Sequence, residues 1–290
     1  MTTMATALKK KPKQEVARRA ASTLATQEGL PAHLRSYEST GAGVPSDAKD
    51  FLLPMAKVLD AKSPECEKRG PNYVPGAEAG DILLKNAPNP LIKGDQGFLF
   101  QPCYREAAVI EWLPRTKGGG GGGGFVARHP EDYLETSNDK VQRPHPENPA
   151  KMVWYRKSTG NLLVETRYVG GYMVGEDGDE PLPLVLPFSS TGHTVAKQWN
   201  MLIASKRVNG AKADIWLVYY RVATRLKARQ DQSWYLFDVA DAGPERNGLP
   251  TTMWVPTAED AERGRNLHES LASGARQFAQ DEGPADNEKM

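Results

Sequence analysis

The chain has 290 residues, 39% hydrophobic and 25% charged, with a formal net charge of +1; this is the composition of a soluble protein able to bury a sizeable core, as one large or two ordinary domains. Its only cysteines, Cys66 and Cys103, lie too far apart for a disulfide framework or a CxxC zinc knuckle, and no apolar run reaches the roughly 18 residues of a membrane-spanning helix. The basic N-terminus has no apolar segment behind it and does not read as a secretory signal, so the expected location is a reducing cytoplasm.

In chain order, residues 1–45 carry Lys9, Lys10, Lys11, Lys13, Arg18 and Arg19 against Glu15 and few large apolar side chains. They read as a mobile basic arm. A β-rich core is expected over 46–256. It opens on FLLPMAKVLDAKSPE (Phe51–Glu65), a short strand and a helical or turn piece broken by Pro54 and Pro64, and continues with a short strand at Ile82–Leu84. GFLFQPCYREAAVIEWLPR then reads as two strands or one long bent strand, with Pro102 at an edge or bulge.

Seven consecutive glycines follow, Gly118–Gly124. A Walker-type loop needs a lysine and a hydroxyl residue directly after its glycines, and here Phe125 and Val126 stand there instead. A dinucleotide fingerprint needs a helix next, and Pro130 comes too soon for one. The run therefore reads as a long inter-strand loop. Residues 125–149 are polar, hold four prolines, and read as loop with one turn of helix. Met152–Val174 reads as a hairpin about Ser158-Thr159-Gly160-Asn161, and Leu184–Phe188 as a strand. Val195, Trp199, Leu202 and Ile203 form one face of a helix ended by Asn209-Gly210. Residues 213–241 read as two aromatic strands around a turn at Ala228–Ser233. Thr257 with Asp260 caps a last helix, Ala258–Gln280, within a C-terminal segment, 257–290, that ends in an acidic tail. Short strands without regular intervening helices argue for a mainly β fold with some α (α+β): an OB-like antiparallel barrel with long loops and a C-terminal helix.

No catalytic constellation stands out. His33, His129, His145, His193 and His268 are scattered without metal-ligand spacing. Ser189, Ser190 and Thr191 lack a nucleophile-elbow context, and Glu176, Asp177, Asp179 and Glu180 read as a solvated turn. No metal, cofactor or enzymatic activity is expected. Binding has better support, because three segments interleave aromatic and basic residues: Tyr104, Arg105, Trp112 and Arg115; Trp154, Tyr155 and Arg156; and Tyr219, Arg221, Arg225, Lys227, Trp234 and Tyr235. Aromatic faces stack on any base while cations neutralise phosphate, which is the chemistry of single-stranded nucleic-acid binding. The other reading of the last set is that both strand faces are buried and its aromatics are core.

Taken together, FLLPMAKVLDAKSPE, GDILL, PCYREAAVIEWLPR, PLVLPFSSTGHTVAKQWNMLI and SWYLFDVADAG resemble a group of tailed-bacteriophage single-stranded-DNA-binding or recombination-accessory proteins, over about residues 50–245. The resemblance implies an OB-like fold and a non-catalytic role in DNA replication or recombination. It also implies single-stranded DNA as the partner, with replication or recombination enzymes recruited through the acidic C-terminus. The group's middle cysteines are missing here, which removes any zinc ribbon, and residues 281–290 lack the terminal aromatic usual in such tails. A phage virion structural or assembly protein is the competing reading, and a small nuclease with a dispersed site is the third. Oligomeric state is left open.

Overall fold

The computed structural model describes residues 53–87, 91–114, 124–145, 149–174, 180–229, 232–242, 253–255 and 257–274. All belong to one compact unit, Asp47–Met290. The basic arm, Arg115, Gly118–Gly123, Glu176, Asp177, Asp179 and the acidic tail lie outside the described residues.

Thirteen strands are described: β1 Met55–Val58, β2 Ile82–Lys85, β3 Leu91–Ile92, β4 Phe98–Trp112, β5 Phe125–Pro130, β6 Lys140–Pro144, β7 Met152–Arg156, β8 Leu162–Met173, β9 Leu182–Ser189, β10 Arg207–Val208, β11 Ala211–Lys212, β12 Tyr220–Arg229 and β13 Gln232–Asp241. The helices are α1 Tyr133–Thr136, α2 Gly192–Ser205 and α3 Ala258–Ala272. One sheet takes all strands but β10 and β11, in the order β13-β12-β4-β8-β9-β1-β2-β3, with β5 on β4 and the β6–β7 ribbon on β8. Its pairings are antiparallel except for β1 beside β9. The fold is thus mainly β with a few helices, a curled half-barrel of OB-like type.

β4 is the spine. One edge pairs with β8 along almost its whole length, while the other is shared between β12 at Phe98–Phe100 and β5 at Ala108–Trp112. A bulge between Pro102 and Tyr104 leaves Cys103 without a partner on β8. One extra residue flips the alternation of a strand. Before the bulge, Phe98 and Phe100 face the inner core with Val169, Leu184, Leu186, Phe188, Tyr220 and Val222. After it, Ala108, Ile110 and Trp112 face a second, outer core with Val164, Tyr168, Leu267 and Leu271.

Each core takes a helix. In α2 the expected apolar stripe is realised, and Trp199 is wedged among Phe100, Phe188 and Tyr220 at centroid distances of 5.9, 5.9 and 5.5 Å. α3 starts where the capping pair predicts: Thr257 Oγ1 accepts from the Asp260 N–H at 3.0 Å. It lies on the outer face, where Gln101 Nε2 donates to the carbonyls of Trp216 and Asp260 at 2.8 and 3.0 Å.

The curl brings the ends of the strand order together. Thr224 of β12 donates its N–H to Gly94 O at 2.9 Å and its hydroxyl to Gly80 O at 2.5 Å, just beyond β3 and before β2. Tyr235 N donates to Asp60 Oδ1 at 3.4 Å. This closure needs Gly94, since a Cβ there would stand 1.8 Å from Gly80 O and 2.2 Å from Thr224 Oγ1.

Several expectations are corrected. Residues 125–149 hold the expected single turn of helix, α1, but strands take the place of the loop around it: β5 and β6 flank α1, and they bury no residue fully, so they carry no apolar alternation to read. Residues 215–217 form a 3-10 turn, not strand. α2 ends at Ser205, and Asn209-Gly210, at φ 50° and 82°, instead turns the β10–β11 hairpin, the geometry such a dipeptide favours. The glycine run does connect two antiparallel strands, with Leu113 N–H bonded to Gly124 O at 2.9 Å.

Gly94→Ala is expected to lower stability by about 1–3 kcal/mol through overpacking at the closure. Urea unfolding of the variant against the parent measures it; an unchanged midpoint would show that the sheet ends are not in contact.

Candidate functional site

Beyond its bulge, β4 sends Arg105, Ala107, Val109 and Glu111 to the inner side and Tyr104, Glu106, Ala108, Ile110 and Trp112 to the outer side. The pairings carry this alternation across neighbouring strands, since residues directly opposite share a face. Arg105 stands opposite Val169, Ala107 opposite Arg167, Val109 opposite Glu165 and His129, and Glu111 opposite Leu163. Leu163 stands opposite Trp154, and Trp154 opposite Gln142. Five strands, β5-β4-β8-β7-β6, thus present one continuous inner face.

At its far end this face is built on a buried carboxylate. Glu111 is wholly enclosed, and all its acceptor positions are used. Oε2 receives His129 Nε2 at 2.8 Å and Arg156 Nη1 at 2.9 Å, while Oε1 receives Asn161 Nδ2 at 2.6 Å and Thr159 Oγ1 at 3.2 Å. Burial pushes the carboxyl pKa up, but the donors Asn161, His129 and Arg156 outweigh it and hold it below the ordinary value. Arg156 also bonds Asp139 at 2.8 Å, and Asp139 binds the Ser158 hydroxyl at 2.6 Å. Those contacts, Ser158 first and Arg156 next, draw the Asp139 carboxyl down to about 2. The imidazole of His129 stacks on Tyr133 at 4.1 Å. With Glu111 saturated, the cluster is a clip that fastens the Ser158–Asn161 turn and β5 to β4.

Toward the bulge the face becomes cationic. Arg105 is exposed, and no carboxylate among the described residues pairs with it. Desolvation and then the like charge of Arg167 lower its pKa. Arg167 is bound by Glu165 through Nε at 3.2 Å and Nη2 at 2.9 Å. His193, in the first turn of α2, meets the Glu165 carbonyl through Nε2 at 3.0 Å. Desolvation lowers its pKa, with Arg167 and Lys197 adding to the effect against the pull of Glu165. Lys151 Nζ donates to Ser190 Oγ at 3.2 Å.

The predicted residues are dispersed by this alternation. Arg105, Trp154 and Arg156 share the inner face, with the Lys140 ammonium 5.8 Å above the Trp154 ring, a cation–π distance. Tyr104, Trp112 and Tyr155 go to the outer side. There Tyr104 meets His268 of α3 edge-on at 5.9 Å and Trp112 meets Phe125 at 6.0 Å, so neither offers a bare stacking face. Where the chain enters β12, Tyr219 and Tyr220 are adjacent and both buried, at 3% and 0% exposure, so both faces are covered there. Tyr219 packs with Leu99 and Ala242, and Trp234 packs on the inner core. The Tyr235 ring lies against Gly80. Arg221 donates to the Gln96 carbonyl and Arg225 pairs with Asp238 at 3.3 Å. Lys227 is half-buried beside Trp234 in the register, and Arg115 lies outside the described residues. Of this set, burial removes Tyr219 and Trp112 from any surface role. Glu111, Tyr133, Asp139, Lys140, Arg167 and Lys197 were not singled out from the sequence, and His129 and His193 were set aside there as scattered. The available signal was Glu111, a lone acid inside the apolar run AAVIEWL.

Removing the clip has a predictable cost. Glu111→Ala leaves buried cationic and amide groups without their acceptor and is expected to destabilise by about 3–5 kcal/mol, the range for breaking a buried pair. Because both carboxyls titrate below their ordinary values, their contribution is complete above the ordinary glutamate value of 4.5 and is lost as pH falls toward 2. Thermal melts from pH 6 downward should show parent stability falling across that window, with a smaller fall in Glu111→Gln; equal slopes would contradict the assignment.

Among the described residues no group of His, Cys, Asp or Glu is placed to hold a metal ion, and no helix is long and apolar enough to cross a membrane. In comparison with known proteins, neither a curated protein nor a solved structure matches the chain. A family model does: that of the Pam3 phage gp34-like protein, over residues 21–277. That span takes in the whole sheet, α2, and α3. The description names a phage protein and no activity, and it meets the phage part of the resemblance seen in the sequence. The chain belongs to the Pam3 phage gp34-like family.

Proposed function

We propose that this phage protein binds single-stranded DNA, without catalysing a reaction on it, in replication or recombination, and that it does so on the inner face of β5-β4-β8-β7-β6. The observation that carries the reading is the alternation of β4 beyond its bulge. It gathers Arg105, Arg167, Lys140 and Trp154 on one side of neighbouring strands, while α3 covers the other side. From Arg105 to Glu111 the face runs about 20 Å along the strand, room for several nucleotides. Cations neutralise phosphates along such a groove, and an aromatic ring takes a base without reading its identity. Lys140 over Trp154 holds the place of that base. When a base stacks there, the ammonium moves to a neighbouring phosphate. The β12–β13 hairpin, one of the three aromatic–basic segments of the sequence, serves instead as barrel wall.

The test is a titration of fluorescent oligo-dT at several salt concentrations. Parent affinity should fall as salt rises, with a slope of about −0.7 per phosphate neutralised. Trp154→Ala, once shown to melt like the parent, should weaken binding by about 1–3 kcal/mol at nearly unchanged slope, and Lys227→Ala on the hairpin should change little. If the folded parent shows no salt-dependent affinity and self-assembles instead, the virion structural reading replaces this one.

A further inference from the structure

Within that face one cluster stands apart. Arg105 and Arg167 are diagonal neighbours, because Arg167 lies two residues along β8 from Val169, the partner of Arg105. Such a pair has its Cα atoms about 7–8 Å apart, and both side chains are long enough to converge on one point. Among the described residues the carboxylate in contact is Glu165, and Arg167 takes it with two donors on the single oxygen Oε1. Lys197 follows His193 by one helical turn and so shares its side of α2. Arg105 and Arg167 thus lie in each other's field, and Lys197 acts on His193 beside them, with Glu165 the one acid bonded among the described residues. Like charges on the same face of paired strands repel, and here no protein group among the described residues offsets the excess. A folded protein keeps such a cluster at a cost in stability, which a bound anion relieves.

We infer that Arg105 and Arg167, supported by Lys197, form a seat for a single phosphate group. This rests on the proposed nucleic-acid reading for its biological source, a backbone phosphate of the bound strand, but the chemistry stands without it. Guanidinium groups match phosphate oxygens in pairs of donors, and two arginines converging from adjacent strands fix one phosphate instead of tracking several.

A seat for one phosphate differs from two independent contacts in a measurable way. In oligo-dT titrations across salt, the double variant Arg105→Ala/Arg167→Ala should lose about 0.7 of the slope, one phosphate's share, and about ten- to a hundredfold in affinity. A loss of two shares would mean that each arginine holds its own phosphate, and no loss would mean that neither touches the strand. Either result overturns the seat while leaving single-strand binding intact. Arg105→Gln, at an exposed position, provides a variant whose folding is not at risk. If the parent binds no oligonucleotide, inorganic phosphate decides. Titration followed through the arginine Nε–H resonances should give a saturable shift at Arg105 and Arg167 that Arg105→Gln abolishes. Saturation supports the seat with free phosphate as its source, and a flat titration overturns it.

Discussion

The inner face depends on one unpaired residue. Cys103 is buried in the outer core and has no partner on β8, and its insertion shifts the alternation of β4 by one position. Without it, Ala108, Ile110 and Trp112 would point inward, Arg105 and Glu111 would point outward, and α3 would have no apolar strip on which to dock. Glu111 can be enclosed by β5 and the Ser158–Asn161 turn only because it faces the inner side. The bulge thus separates two tasks along a single strand: packing against α2 in its first half, and carrying the polar network and cationic surface in its second.

Closure of the sheet sets a second limit. Thr224 bridges to Gly94 and Gly80, with Asp60 receiving Tyr235 N–H, so β12 and β13 are used as wall. Tyr220 and Phe237 then fall into the inner core, and Tyr219 into a satellite cluster on the other side. The hairpin richest in aromatic and basic residues is for that reason the least free to contact a ligand. Its arginines serve the same purpose: Arg221 holds the carbonyl after Asp95, and Arg225 pairs across the hairpin with Asp238.

Much of the framework was legible in the sequence. The bent strand with Pro102 at a bulge, the hairpin about Ser158–Asn161, the helix carrying Trp199 and the Thr257 cap all follow from local periodicity and turn chemistry, and all are present. β5 and β6 were not legible, because edge strands that bury no residue fully leave no alternation. The site was only half legible, for a different reason. Tyr104 and Arg105 are sequence neighbours on a strand, as are Trp154, Tyr155 and Arg156, and neighbours on a strand point to opposite sides. Counting aromatic–basic clusters along the chain treats as one surface what the pleat divides into two. Alternation alone could have made that division. Which half is then covered could not be read locally, because it depends on α3 returning from more than 150 residues away to bond Gln101.

The proposed single-strand binding assigns ligand contacts to the inner face and not to the α3 side or the β12–β13 hairpin. Photo-crosslinking of oligo-dT to the full chain, with the attached residues mapped by mass spectrometry, tests this most directly. Crosslinks at Tyr133, Trp154, Arg105 or His193 are the predicted result. Crosslinks confined to Tyr104, Tyr155, His268 or the strands from Tyr220 to Asp241, or none at all from folded protein, would contradict it.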